Sequence, residues 1–120
     1  MQPWTRVSND ELRLSDIPQE DADWGAITDF ALSIDGYAQD ARLRYESSLW
    51  KIKMAFETGT AKLNSLTMTE LRICLFREQR YLRRRLEECW SVGSFEGIEP
   101  DLSYAHALIR AIREKLVPAG

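Results

Sequence analysis

LTMTELRICLFREQRYLRRRLEECW, residues 66–90, is the stretch on which the fold turns. It opens on a T-x-x-E capping box: the Thr67 hydroxyl can accept from an orphan amide of the first turn. Glu70 can reach back to the amide of Thr67. Leu66 and Leu71 bracket the cap as a hydrophobic staple. From Met68 to Trp90 nothing breaks a helix, and at 100° per residue Leu71, Leu75, Leu82, Leu86 and Cys89 project within one narrow arc. That arc predicts one long rod with a leucine edge facing a core.

The flanking sequence predicts three more helices. Trp24, Ile27, Phe30, Ala31 and Ile34 recur at helical spacing, after acids at Asp21 and Asp23 that suit a first turn and before Gly36 as a stop. Residues 38–58 carry Tyr45, Leu49, Ile52 and Phe56 at helical steps. Trp50–Met54 also alternates like a strand, but length and the alanines favour helix. After the glycine-punctuated loop 91–97, Pro100 opens a last helix that reaches Leu116, with Leu102, Ala105, Leu108, Ile109, Ile112 and Leu116 as its stripe. Residues 1–20, with Pro3 and Pro18, read as an extended arm with short strands at Trp4–Val7 and Leu12–Leu14. The expected architecture is a mainly α, small four-helix domain over 21–120 behind an N-terminal arm over 1–20. At 120 residues the chain is one domain long.

Composition narrows the function classes. The opening Met-Gln-Pro-Trp-Thr-Arg lacks the basic start and apolar run of a signal peptide, and no stretch approaches the ~20 apolar residues of a membrane span. Cys74 and Cys89, on one helix, would lie about 22 Å apart, too far to bridge. The expectation is a cytoplasmic protein that makes no membrane contact. The net charge of −3 hides a split: residues 1–40 hold nine acids against Arg6 and Arg13, while the remainder is +4. A nucleic-acid domain would more often be strongly basic.

Motifs for chemistry are sparse. His106 is the single histidine, and no serine elbow, metal-ligand pair, calcium loop or phosphate-binding glycine loop accompanies it. No cofactor is expected.

The outer face of the 66–90 helix is more informative. Arg77, Arg80 and Arg84 fall at i, i+3 and i+7, with Arg83 beside them and Ile73 and Phe76 extending the same side toward the helix start. One reading is a solvated face, with Glu87 and Glu88 pairing to Arg83 and Arg84 and the apolar pair covered by the chain itself. The other is a docking strip formed by Ile73, Phe76, Arg77, Arg80 and Arg84, since arginine suits carboxylate or phosphate. Arg110, Arg113 and Lys115 extend a basic surface if the last helix lies alongside. Glu78 projects into the leucine stripe, with Arg85 along the same edge. Its carboxylate either reaches solvent, or an arginine of another helix, at that edge or enters a buried ion pair that fixes register.

The run Leu66–Arg72, followed by Leu75–Arg80 and preceded by Asp35-Gly36-Tyr37, resembles short bacterial proteins of uncharacterised function. The resemblance implies a bacterial cytosolic protein and carries no activity with it. The leading expectation is a non-catalytic helical protein-interaction module that self-associates through the third helix. The alternative is a nucleic-acid-associated factor using Arg77, Arg80, Arg84 and Arg110, and the third is a small enzyme working through His106.

Overall fold

The computed structural model describes residues 11–19, 24–32, 46–60 and 62–117. Among them lie four helices, α1 (Trp24–Leu32), α2 (Glu46–Glu57), α3 (Met68–Val92) and α4 (Glu99–Leu116), with short 3₁₀ turns at Leu14–Asp16 and Leu63–Ser65. The chain is mainly helical, and the described residues contain no strand.

The long rod forms as its cap dictates. The Glu70 amide donates to Thr67 Oγ1 at 3.1 Å and the Thr67 amide donates to Glu70 Oε1 at 2.9 Å. The helix runs on to Val92, two residues beyond the expected end, where Gly93 takes the left-handed conformation (φ 72°). Its amide and that of Ser94 both donate to the Cys89 carbonyl, closing the last turn. The rod is therefore about 37 Å long. Its leucine edge is inside: Leu71, Leu75 and Leu82 are fully buried, with Cys89 beside them and Leu86 half-buried.

α3 packs chiefly against α4, with α1 also against α3 and α2 against α4. On α1 Ile27, Phe30 and Ala31 are buried, and on α2 Leu49 is buried. α4 contributes Tyr104, Ala105, Leu108, Ile109 and Ile112. It starts at Glu99 with Pro100 in the first turn and ends with Arg113 and Lys115 in the last, the charge order its dipole favours. The strand-like alternation over Trp50–Met54 is helix in the structure.

Two expectations change. Leu12–Leu14 is no strand: the chain turns at Leu14, and the Asp16 carboxylate accepts from the Arg13 amide at 3.0 Å. This part of the arm is docked on the domain, with Leu12 and Ile17 buried and Arg113 Nη1 donating to the carbonyls of Ile17 (3.2 Å) and Pro18 (3.3 Å). The strand expected at Trp4–Val7, the start of α1 at Asp21 or Asp23, its stop at Gly36 and the first turns of the 38–58 helix lie outside the described residues.

Candidate functional site: an arginine–aromatic cleft over a buried lysine

Ile73 is fully buried, although it lies on the arginine side of α3. Near its start α3 is buried on both sides, at Leu71 and Leu75 as well as Ile73, and two elements of the same chain, α4 and α1, pack on it. Phe76 is half-buried against the same core. The apolar part of the expected docking strip is therefore interior, and Ile73 is withdrawn from it. Farther along, the outer face emerges: Arg80, Arg83, Arg84, Glu87 and Glu88 are all exposed.

Beneath this face sits a feature that apolar spacing alone does not reveal. Lys53, on the same side of α2 as Leu49 and Phe56, is only 1% exposed. Its ammonium donates to Glu78 Oε1 of α3 and to Asp101 Oδ1 of α4, each at 2.8 Å. The nitrogen lies 3.9 Å from the centre of the Tyr81 ring, with Trp50 and Tyr104 at 5.7 and 5.9 Å. A buried ammonium survives only where anions and ring faces replace its water. Here two carboxylates and an aromatic wall do so, tying three helices at one point.

Of the two readings its place in the stripe allowed, Glu78 takes the buried ion pair rather than the edge carboxylate, and its partner is Lys53, not Arg85. Burial pushes its carboxyl above the usual range, and the bond from Lys53 works against that rise. Arg77 Nη1 approaches its second oxygen at 3.4 Å. Arg85, by contrast, lies at the surface edge, pairing with Glu88 at 3.1 Å and reaching Asp101 Oδ2 at 3.9 Å.

The Arg77 guanidinium stands 5.2 Å from both the Trp50 and the Tyr81 ring centres, and its side chain is only 11% exposed. Arg77 is therefore part of the wall. With Tyr81, Arg80 and Arg84 it lines an open cleft of about 280 Å³. Arg80, Arg83 and Arg84 make no ion pair among the described residues, and neither does Glu87. The intrahelical pairs Arg83–Glu87 and Arg84–Glu88 are thus absent. An acid C-terminal to its base on a helix is the weaker order, opposed by the dipole, and Glu88 is taken by Arg85.

The other basic residues do not join this cleft. Arg113 is committed to the arm, and Lys115 donates to the Asn64 carbonyl at 3.2 Å. Arg110 lines separate grooves with Phe56 and Ala107, one of them containing the half-buried His106. The four-arginine surface that included Arg110 is therefore not assembled.

Cys74 is buried beside the Tyr104 hydroxyl, which lacks a hydrogen bond of full geometry. Burial pushes the Cys74 thiol up to about 12 and the Tyr104 hydroxyl above its usual value as well. A thiol so placed is a core group rather than a nucleophile. Among the described residues no cluster of His, Cys, Asp or Glu is placed to hold a metal ion, and no helix is long and apolar enough to cross a membrane.

The fold and site together define a small helical scaffold that presents a basic, aromatic-walled cleft. No protein-family model, no curated protein and no solved structure matches the chain.

Proposed function

We propose that this protein is a non-catalytic helical interaction module whose cleft on α3 receives an acidic segment of a protein partner. The observation that carries the reading is that Arg80 and Arg84, on one helix beside Tyr81 and Arg77, make no ion pair among the described residues. Guanidinium forks suit carboxylates, and two of them one turn apart with no acid of the described residues on them are placed to take a ligand's. Trp50, 41% exposed, continues the aromatic wall on α2. The buried lysine beneath packs on the Tyr81 ring at 3.9 Å, and a ring packed in this way lowers the ordering cost of binding against it. A protein partner is preferred to a nucleic acid because the whole chain is acidic, with a pI near 5.2. A bacterial cytoplasmic setting, with both cysteines kept as thiols, accords with this reading.

The test is a titration with a fluorescent Asp/Glu-rich peptide, set against a single-stranded oligonucleotide of equal charge. The expected result is peptide binding that weakens with salt and is lost in Arg80→Glu/Arg84→Glu. No peptide binding at low salt overturns the proposal, and preferential oligonucleotide binding transfers the cleft to the nucleic-acid alternative.

A further inference from the structure

The exposed half of α3 is self-complementary in charge. Arg83-Arg84-Arg85-Leu86-Glu87-Glu88 carries bases on one side of Leu86 and acids on the other. A second copy laid antiparallel about a two-fold axis near Leu86 brings Arg84 of one helix opposite Glu87 of the other, and the reverse, with Glu88, which already pairs with Arg85 at 3.1 Å, beside it. Arg83 and Trp90 lie on the same flank of the helix, so the same register brings Arg83 against the partner's indole. Trp90 is 75% exposed, and its ring meets Phe95 edge-on at 5.4 Å, which holds it out as a stacking surface for a guanidinium.

From this geometry we infer that the partner is a second copy of the same chain, docked antiparallel along residues 80–91 of α3. The inference rests on the proposed interaction role and places a partner on the stretch of α3 that follows the cleft and shares Arg84 with it. Two observations support it. Arg83, Arg84 and Glu87 have no ion-pair partner within their own chain among the described residues. The order of charges is unfavourable within one helix and favourable between two antiparallel ones. The arrangement is also isologous, so it closes at a dimer and exposes no repeating edge. With one helix face contributed by each copy, the interface is small, and a reversible, salt-sensitive dimer is expected.

Charge reversal tests the geometry on the full chain. Sedimentation is followed from roughly 10 µM to 1 mM, first for the native chain. Two variants follow, Arg83→Glu/Arg84→Glu and Glu87→Arg/Glu88→Arg, and then their equimolar mixture. The native chain is expected to dimerise, and each variant alone to associate at least about tenfold more weakly, since like charges meet in its homodimer. The mixture is expected to form a heterodimer, because every pair in it is opposite. Trp90→Ala weakens the native dimer without altering the charge rule. Association of the mixture also shows that both variants are folded. A native chain that stays monomeric overturns the inference, and so does a mixture no more associated than its components. A monomer that still binds the acidic peptide overturns this inference alone, whereas loss of both removes the interaction role itself.

Discussion

Replacing Lys53 with Met probes the point where α2, α3 and α4 meet. Methionine keeps most of the volume and removes the ammonium, leaving the Glu78 and Asp101 carboxylates near one another with no shared cation. Glu78 is completely buried and the Asp101 side chain is 11% exposed. Breaking a buried pair from one side costs about 3–5 kcal/mol. Arg77 at 3.4 Å and Arg85 at 3.9 Å remain as weaker partners, which places the loss near the lower end, at about 3 kcal/mol. At about 2.1 cal/mol/K per residue, the unfolding entropy of a chain this size is about 0.25 kcal/mol/K, so Tm falls by about 12 °C. The assay is urea unfolding followed by tryptophan fluorescence and extrapolated linearly to water. The companion is Lys53→Met/Glu78→Leu/Asp101→Asn, which removes both stranded charges. Because the penalty lies in uncompensated charge rather than in lost attraction, the triple variant recovers at least half of the loss. A single variant within about 1 kcal/mol of the native chain, or a triple variant no more stable than the single, would mean that stranded charge is not what the lysine prevents.

Four further outcomes are expected. Burial holds the folded Glu78 carboxyl above its ordinary 4.5, so between that value and its raised folded one the native state binds more protons and stability falls as pH rises. In Glu78→Gln that contribution disappears, and the stability difference between native and variant chains, measured by denaturation across pH 4.5 to neutrality, traces it. Ile73→Ala costs about 2–5 kcal/mol, the price of a core cavity; a loss below about 1 kcal/mol in the same assay places Ile73 at the surface. Thr67→Ala removes the hydroxyl that accepts from Glu70 and lowers stability by about 1 kcal/mol, read from the urea midpoint. A thiol-specific reagent at mildly alkaline pH leaves Cys74 unlabelled in the folded chain and labels it on unfolding, as mass spectrometry of the peptides reports.

The long rod was legible because its signals are local. A cap four residues wide and a stripe at fixed spacing need no knowledge of the rest of the chain. The end of the rod was less so, since Val92 continues the helix until Gly93 turns left-handed. Ile73 stayed open between two readings for a tertiary reason. An apolar residue opposite the leucine edge is equally consistent with an open surface and with cover by the same chain, and only the packed structure, in which Ile73 is fully buried, decides. Glu78 was visible as a carboxylate in an apolar stripe, yet its partner lies 25 positions away on α2. Lys53 escaped because hydrophobic patterns do not count lysine, although its place between Leu49 and Phe56 on one helical face is the clue. Asp101 read as an ordinary first-turn acid, which it also is.

Arginine side-chain NMR reads the cleft residue by residue, because each guanidinium Nε–H reports its own surroundings as an Asp/Glu-rich peptide is added. The Arg80 and Arg84 signals are expected to move with the titration while that of Arg113, held by the carbonyls of Ile17 and Pro18, stays in place. Signals that all drift together, or that leave Arg80 and Arg84 where they began, would contradict the proposed interaction.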